Sequence, residues 1–469
     1  MSAAERFERY MEHLAAGLGH ADRHSGLRGY CTGLMLPLER KSVEPMAASI
    51  DPLRASARHQ ALHHFVAQAE WSDQEMLRRV AQWVLPRMDL SAGAFWIVDD
   101  TGFPKKGEHS VGVARQYCGQ LGKQDNCQVA VSISLATETA SLPVAYRLYL
   151  PKQWAGDRAR RRKAGVPPEV RFATKGQIAL AQLEQLLAAG APRHCLLADA
   201  AYGTEAQFRL RLSQLAVPYM VGIVCSVSVW PPGVDPLPPK PYPGRGRPPL
   251  APRRSPRRQP LSVKALAQSL PPAAWQRVSW REGSNQQLSG RFAAVRVRHA
   301  GGNSGRARLR PSQWLLIEWL DDEPEPTKYW LSTLPQDCAI NDLVAAAHMR
   351  WRIERDYLEL KQELGLGHYE GRSWRGFHHH ASLSIAAYGF LVAEQLTAGK
   401  RSGAKKNFIE RQVPALPSGY IARGSPARTA PHAPLHRNAA PSAQRAAGQS
   451  RASLPVLRAR KRKTTLVTQ

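Results

Sequence analysis

Residues 94–102 read AFWIVDDTG, and this stretch carries the pattern from which the fold can be predicted. Five apolar residues, 94–98, are followed directly by Asp99, Asp100 and the turn-forming pair Thr101-Gly102. A short apolar run that is bounded by turn residues is typical of a buried β-strand. We therefore expect a strand that Asp99 closes, with acidic side chains at one edge of a sheet.

The segments that follow this strand, from residue 127 to residue 224, extend it into an α/β pattern. Two segments alternate apolar and polar residues, CQVAVSISL at 127–135 and PVAYRLYL at 143–150. With the first strand they predict an antiparallel meander. The remaining predicted elements are a helix at 175–188, a buried strand at 195–198 that ends in Asp199, a helix at 205–215 and a strand at 219–224. The order βββαβαβ predicts an α/β fold with a mixed sheet.

The chain divides by composition into four predicted parts. Residues 1–90 are predicted to form a helical domain, since Phe7, Tyr10, Met11 and Leu14 share one helix face. The α/β core is expected at 91–225 and 335–398, and its last two helices at 340–364 and 373–397. Between these segments, 226–334 is predicted to hold an arm rich in Pro and Arg and a β-rich insertion, with strands at 276–280, 291–298, 312–320 and 328–331.

The tail, 399–469, is basic and rich in Pro, Ala, Arg and Ser, and it lacks hydrophobic periodicity. Such a composition is typical of disorder. Two interpretations stay open: a disordered basic arm, or a reading frame that has drifted in a decayed copy.

The charge of the chain indicates a polyanionic partner. Lys and Arg total 65 against 37 Asp and Glu, which gives a formal charge of +28 over 469 residues. Such an excess favours nucleic acid. The longest apolar stretch is about eleven residues, too short to cross a bilayer, and the charged N-terminus lacks a secretory core. The six cysteines form no CxxC pair, so neither a zinc ribbon nor a disulfide framework is expected.

Acidic residues at strand ends are the candidate site in so basic a chain. Asp99 and Asp199 close the first and fourth strands, which lie side by side in such sheets, so their ends are expected to converge. Neighbouring carboxylates favour a divalent cation with oxygen ligands. Glu354, on the helix 340–364, shares a face with Arg350, Tyr357 and Lys361 and is the expected third ligand. Strand-end aspartates also serve as turn residues, and Arg-Glu pairs four apart are common on surfaces, so spacing alone leaves both alternatives open.

One segment resembles the signature of bacterial cut-and-paste insertion-sequence transposases. In that signature a Tyr is followed after two residues by Arg, after three more by Glu and after six more by Lys. Arg350, Glu354 and Lys361 match this spacing, whereas Ala347 stands at the Tyr position. Three further segments resemble one branch of these enzymes, WIVDDTGFPKKGEHSVGVARQYCGQLGKQDNCQ at 96–128, LADAAYG at 197–203 and GLGHYEGRSWRGFHHH at 365–380. The resemblance spans roughly residues 5–397.

The resemblance implies a ribonuclease-H-like fold and a DDE triad. Carried over by residue, the catalytic acids and metal ligands are Asp99, Asp199 and Glu354, with Mg²⁺ as cofactor and Mn²⁺ as its expected substitute. Asp100 is adjacent to Asp99 and keeps the first position ambiguous. We favour Asp99 because the triad Asp of related transposases precedes a Ser or Thr by two residues, here Thr101. Strand alternation also places the two aspartates on opposite faces, so only one can bind the ion.

The resemblance also implies an activity and partners. A transposase of this type binds its terminal repeats, cleaves DNA with two metal ions and joins the 3′-hydroxyl ends to target DNA. A homodimer on paired ends is expected, acting on double-stranded DNA in the bacterial cytoplasm at the nucleoid and not at a membrane. The N-terminal helices are the expected repeat-binding part. Two alternatives stay open: a nuclease of this fold without transposition, and a decayed copy that only binds DNA.

The predicted DNA contacts come from basic and aromatic residues. Arg350 and Lys361 are expected to hold phosphates, and the further candidates are Arg352, Lys105 and Lys106. Trp330, in the insertion, is the candidate for stacking on a flipped base, as in similar transposases, although such tryptophans also simply pack a sheet.

Three basic segments add to these candidates. Arg245 and Arg247 belong to GRGRP, which is similar to an AT-hook core, or else to a solvated linker. The strings RARRRK at 158–163 and RARKRK at 458–463 predict electrostatic patches that strengthen binding without selecting a sequence.

Overall fold

The computed structural model describes residues 1–91, 93–246, 253, 255–256, 258–281, 287–300 and 310–402. The predicted tail beyond 402, including the basic string at 458–463, lies outside the described residues. All six cysteines lie inside them, and none forms a disulfide. In the described ranges, no helix is both long and apolar enough to span a membrane.

The described residues form helices at the N-terminus, then an alternation of strands and helices, and finally three C-terminal helices. The helices are α1 (Ala3–Ala15), α2 (Asp22–Met35), α3 (Val43–Ile50), α4 (Ala55–Ala67), α5 (Asp73–Val84), α6 (Lys152–Gly156), α7 (Arg158–Lys163), α8 (Lys175–Ala188), α9 (Ala200–Gly203), α10 (Ala206–Gln214), α11 (Val263–Ser269), α12 (Ile340–His348), α13 (Trp351–Gln362) and α14 (Trp374–Ser402). The strands are β1 (Phe95–Pro104), β2 (Ala114–Cys118), β3 (Lys123–Ala136), β4 (Ser141–Leu148), β5 (Cys195–Ala198), β6 (Tyr219–Ile223), β7 (Ser228–Trp230), β8 (Leu261–Ser262), β9 (Gln276–Arg281), β10 (Gln287–His299), β11 (Gln313–Trp319) and β12 (Lys328–Ser332).

The N-terminal helices form because amphipathic segments bury one face and begin with good caps. Ser2 caps α1 in a capping box with Glu5. The apolar stripe of α1 is buried against α14, where the hydroxyl of Tyr10 donates to the carbonyl of Ala386 at 2.9 Å. The hydroxyl of Ser72 accepts from the backbone N–H of Glu75 and starts α5. The helical prediction for this part of the chain is confirmed.

A mixed sheet forms the centre of the fold. Its strand order is β2-β3-β1-β5-β6-β12-β11-β10-β7-β8, with β4 also paired to β3 and β9 to β10. Strand β3 is antiparallel to both β1 and β4, whereas β5 is parallel to β1 and β6 is parallel to β5. The predicted mixed α/β fold and the side-by-side placement of the first and fourth predicted strands are confirmed.

The first strand is longer than its sequence pattern predicts. The prediction that Asp99 closes it is wrong, because β1 continues to Pro104 and pairs Asp99 with Ser132 and Asp100 with Val131. The reason is the long partner β3, which provides backbone partners along the whole of β1. Gly102 marks a close approach rather than a turn, since a Cβ there would lie 2.8 Å from Sγ of Cys118.

The prediction of one continuous helix at 340–364 is also wrong. It is interrupted at Met349-Arg350, between α12 and α13. The α12 end is fixed in the insertion sheet, where the ring of His348 stacks on Trp280 with centroids 4.2 Å apart. The next helix, α13, instead packs on β3, β4 and α14. The helix is therefore interrupted where its two parts pack on different surfaces, although the helical pattern of the sequence is continuous.

The insertion is β-rich as predicted, and it continues the central sheet. Strand β12 pairs antiparallel with β6, with Tyr329 opposite Ile223, and β11 and β10 follow. The short strand β2 was absent from the prediction, since ARQYC at 114–118 shows little alternation. The insertion strands thus share a sheet with the strands that carry the candidate acids.

Candidate active site

Two of the predicted acids belong to adjacent parallel strands, Asp99 within β1 and Asp199 directly after β5. The register of β1 and β5 pairs Phe95 with Cys195 and Ile97 with Leu197. Asp99 and Asp199 each follow that last pair by two residues, so they extend from neighbouring strands about 4.8 Å apart. Asp199 is also the N-cap of α9, where its Oδ1 accepts from the backbone N–H of Ala201 at 2.9 Å. The amides at this helix start fix the second carboxylate in place.

Asp99 is a carboxylate in a mostly desolvated position. Burial raises the pKa of Asp99 to about 6, while Arg350 opposes the shift and Asp199 adds to it by repulsion. The backbone N–H of Asp100 donates to Oδ1 of Asp99 at 2.8 Å. A carboxylate that the fold keeps charged at an energetic cost is typical of a functional position.

Arg350 pairs with two of the three predicted acids. Its Nη1 lies 3.0 Å from Oδ2 of Asp99, and its Nη2 lies 3.5 Å from Oε1 of Glu354. Burial disfavours the charged guanidinium, but Asp99, Asp199 and Glu354 together raise the pKa of Arg350 above its ordinary value. The structure therefore brings all three predicted acids into the electrostatic field of one side chain.

Asp100 has different partners from Asp99, as strand alternation predicts. Its Oδ2 accepts from Nζ of Lys175 at 2.9 Å and from the hydroxyl of Tyr202 at 3.3 Å. Sequence reasoning missed both partners. Tyr202 lies inside the LADAAYG segment and could have been found there, whereas no signal pointed to Lys175. The choice between Asp99 and Asp100 as first ligand stays a prediction.

Glu354 lies on α13 with a largely exposed side chain, 67% accessible. The helix that carries it is anchored by Asp356, which is buried and accepts from the hydroxyl of Tyr388 at 2.8 Å and from that of Ser141. Burial raises the pKa of Asp356 to about 6. The anchor fixes the backbone of α13 but leaves the Glu354 carboxylate free to turn.

The donor chemistry suits a divalent ion, although the three acids are not yet gathered around one point. In the part of the chain that the structure describes, no group of three or more His, Cys, Asp or Glu side chains is arranged to hold a metal ion. Carboxylate oxygens are the ligands that Mg²⁺ and Mn²⁺ prefer. Asp99 and Asp199 could provide two of them, and Glu354 could join if the guanidinium of Arg350 moved aside.

Lys361 lies on the same face of α13 as Arg350 and reaches β1. Its Nζ donates to the carbonyl of Gly102 at 3.1 Å, and burial lowers the pKa of its ammonium. Tyr357 lies between them on this face and is buried. The predicted shared face of these residues is confirmed, and their role toward DNA stays a prediction.

Several other predicted DNA contacts are engaged within the protein. Arg352 donates to the carbonyl of Thr139, and Nζ of Lys105 donates to the carbonyl of Tyr369 at 2.7 Å. Lys106 is exposed. Trp330 is only 9% exposed, and its ring lies 5.9 Å from that of His348. In this conformation Trp330 packs the sheet, and base stacking would require it to leave that position.

The basic strings differ in how much of their charge is free. In α7, Arg160 stacks over Trp154 at 3.9 Å, and Arg161 donates to the carbonyl of Val170 at 2.7 Å. The exposed members of this string are Arg158, Arg162 and Lys163. Arg245 is exposed, whereas Arg247 lies outside the described residues. Their contacts with DNA stay predictions.

Residues 13–287 match the model of a family described as DDE superfamily endonuclease. This match covers more than half of the chain, and the chain belongs to that family. The matched range contains Asp99 and Asp199 and ends before Arg350 and Glu354. The assignment of the third acid therefore depends on the contacts described above.

Named relatives agree with this family. The chain is 30% identical over 194 residues to a probable transposase for insertion sequence element IS701 from Microchaete diplosiphon. That segment is 41% of this chain and spans less than half, 46%, of the relative. A cryo-EM structure of a piggyBac transposase synaptic complex with hairpin DNA matches with a TM-score of 0.43 and 10% identity, covering 82% of this chain and 68% of that one. The family match and the IS701 relative confirm the resemblance to insertion-sequence DDE transposases.

Proposed function

We propose that the protein is a transposase that binds its terminal repeats, cleaves the DNA at the element ends and joins the 3′-hydroxyls to target DNA. Asp99, Asp199 and Glu354 are its catalytic acids. The observation that carries the proposal is the pairing of the Arg350 guanidinium with Asp99 in β1 and with Glu354 on α13, while Asp199 directly follows the neighbouring parallel strand β5. Family membership provides the reaction class.

The strand order supports a ribonuclease-H-like core. Taken in chain order, β1, β3, β4, β5 and β6 are arranged as third, second, first, fourth and fifth across the sheet. Strand β3 is antiparallel to its neighbours β1 and β4, and β5 and β6 run parallel to β1. With α13 over this sheet, the proposed core occupies 91–225 and 335–398, and the strands of 226–334 are an insertion that lengthens its sheet.

Endonucleases of the DDE superfamily use divalent metal ions, and we propose Mg²⁺, with Mn²⁺ as a substitute. Bound by these acids, such an ion would supply Lewis-acid stabilisation of a phosphate and an activated oxygen nucleophile. Asp199 is preset for this role by the amides of α9, and Asp99 is ionised at neutral pH because its pKa of about 6 lies below 7. Glu354 completes the set by turning on an anchored helix.

The remaining charges position the DNA. Arg350 and Lys361 lie beside the acids on one helix face, where each could hold a phosphate next to the bond that is cut. Lys106 and the exposed end of α7 would extend this contact along the backbone. We further propose that the helices of residues 1–90 recognise the terminal repeats, that two copies pair the ends, and that the protein acts in the bacterial cytoplasm at the nucleoid.

Cleavage of a duplex that bears the element's own terminal repeat tests this function. Mg²⁺ should produce a nick at the repeat boundary, and EDTA should prevent it. Glu354→Gln should bind the duplex normally and cut it more than ~100-fold more slowly. Loss of an outer-shell partner lowers the activity of a metal site by up to ~100-fold, and loss of a ligand should cost more. Glu363→Gln, an exposed acid at the end of the same helix, is the matched control and should cut normally.

The alternatives give different products in the same assay. Metal-dependent cutting without preference for the repeat would indicate a nuclease that does not transpose. Repeat binding without cutting would indicate a copy that has lost its chemistry. Full nicking by Glu354→Gln would refute the assignment of the third acid.

A further inference from the structure

We propose that Arg350 alternates between two partners, the acids of the site and a DNA phosphate, so that the divalent ion and DNA bind cooperatively. Without DNA, its guanidinium bridges Asp99 and Glu354. With DNA, it pairs with a backbone phosphate and leaves both carboxylates to the ion. This inference rests on the proposed function, because it requires that these acids are metal ligands.

Arg350 and a divalent ion would compete for the same carboxylate oxygens. Arg350 lies 3.0 Å from Oδ2 of Asp99 and 3.5 Å from Oε1 of Glu354, so it holds two of the three proposed ligands. A divalent cation bound there would be repelled by the guanidinium at these distances. In the described residues the acids are not gathered around one point, which agrees with an arginine between them.

The pairing of Arg350 with the acids is suited to release of the guanidinium. Nη1 of Arg350 is buried and lies 3.0 Å from Oδ2 of Asp99, and the angles of this contact depart from those of a good hydrogen bond. Its attraction to the acids is therefore mainly Coulombic. A phosphate can accept two parallel hydrogen bonds from a guanidinium, which improves on this arrangement.

Arg350 lies at the joint between α12 and α13, outside the regular part of either helix. His348 holds the α12 side in the insertion sheet, and Asp356 holds the α13 side. A small backbone change at the joint can therefore move the guanidinium without moving either helix, and the exposed Glu354 side chain can turn independently.

The consequence is reciprocal linkage between two ligands. If DNA removes Arg350 from the acids, DNA must raise the affinity for the ion, and the ion must raise the affinity for DNA by the same factor. Couplings of this kind are typically about 5–150-fold. We expect about tenfold or more here, because the competing charge is partly buried.

Mn²⁺ binding measured by EPR, with and without a non-cleavable repeat duplex, tests the proposal directly. In the wild type, DNA should tighten Mn²⁺ binding by about tenfold. Arg350→Ala should bind Mn²⁺ about tenfold more tightly than the wild type without DNA and gain little when DNA is added. Arg350→Lys, which keeps a charge but cannot bridge two acids, should lie between them.

The matched control is Arg355→Ala, since Arg355 pairs with Glu359 on the same helix at 3.1 Å, away from the proposed acids. It should keep the coupling of the wild type. Thermal melting of each variant excludes loss of the fold as the cause. Equal tightening by DNA in Arg350→Ala and wild type would overturn the proposal, as would weaker Mn²⁺ binding by Arg350→Ala without DNA.

Failure of this inference can be separated from failure of the proposed function. If Asp199→Asn and Glu354→Gln lose Mn²⁺ binding while Arg350→Ala behaves as wild type, only the alternation of Arg350 is refuted. If neither acid variant changes Mn²⁺ binding, the metal site itself, and with it the proposed function, is refuted.

Discussion

Replacement of Asp99 by Asn should stabilise the folded protein and abolish its metal-dependent cleavage. Asn has the shape of the protonated carboxyl and avoids the cost of burying a charge. A pKa of about 6 against the ordinary value of 3.8 corresponds to about 3 kcal/mol at neutral pH. This figure already includes the attraction of Arg350, and it would be reached only if Asn replaced the protonated carboxyl without any loss of packing. We therefore expect a gain of about 1–3 kcal/mol in the free energy of unfolding.

The pH dependence of this gain has a defined sign. Between about pH 4 and pH 6 the folded protein holds a proton on Asp99 that the unfolded chain has lost. The contribution of Asp99 to the stability of the wild type therefore falls as pH rises through this window and changes no further above it. The Asn variant lacks this slope, so its advantage should grow from pH 4 to pH 6 and stay constant above. Asp356, whose pKa is also about 6, contributes equally to both proteins and cancels.

Urea denaturation in EDTA, from pH 4 to pH 8, measures the effect. Asp100→Asn is the control, because Asp100 pairs with Lys175 at 2.9 Å and accepts from Tyr202. That variant should be no more stable than the wild type. If Asp99→Asn were less stable than the wild type at pH 7, the pair with Arg350 would outweigh the cost of burial, and Asp99 would be a structural anchor.

Three further predictions follow from packing and charge. Trp330→Ala should lower the free energy of unfolding by about 3–5 kcal/mol, since the ring is buried in the sheet; unchanged thermal melting with altered DNA end products would instead support base stacking. Replacing the exposed residues of α7, Arg158, Arg162 and Lys163, by Ala should reduce the slope of log K against log salt for DNA by up to about 2–3, measured by fluorescence anisotropy, and an unchanged slope would exclude this surface from the interface. Gly203→Ala should unfold or aggregate, because its Cβ would lie 2.0 Å from the carbonyl of Gly222, and a normal melting temperature would contradict the close approach of α9 to β6.

The sequence predicted the elements whose partners are local. Alternation and apolar runs identified most strands of the sheet, and caps such as Ser72 identified helix starts. The predicted end of β1 was wrong because DDTG has the composition of a turn. The strand continues because its backbone pairs with β3, whose residues lie some thirty positions later in the chain. The break at Met349-Arg350 was missed because the helical period continues through it, and only the packing of α12 and α13 on different surfaces reveals it.

Sequence spacing predicted the pairing of Arg350 with Glu354 but not the other contacts of the candidate site. Spacing placed Arg350 on the face of Glu354, and the ion pair at 3.5 Å agrees. Spacing could not show that the same guanidinium reaches Asp99 across the sheet. Lys105 has the sequence features of a DNA contact, yet its Nζ is engaged with the carbonyl of Tyr369, which comes from a loop more than 260 residues later. Such long-range contacts arise from the fold and leave no local signal.

If Asp99, Asp199 and Glu354 together carry metal-dependent cleavage of DNA, single-turnover cleavage of the repeat duplex by Asp99→Asn and Asp100→Asn, compared side by side in Mg²⁺, should separate the two aspartates. We expect Asp99→Asn to lose cleavage as completely as Asp199→Asn and Glu354→Gln, while Asp100→Asn keeps cutting at the same position. Normal cleavage by Asp99→Asn, with loss in Asp100→Asn, would contradict the site described here and move the first ligand to the opposite face of β1.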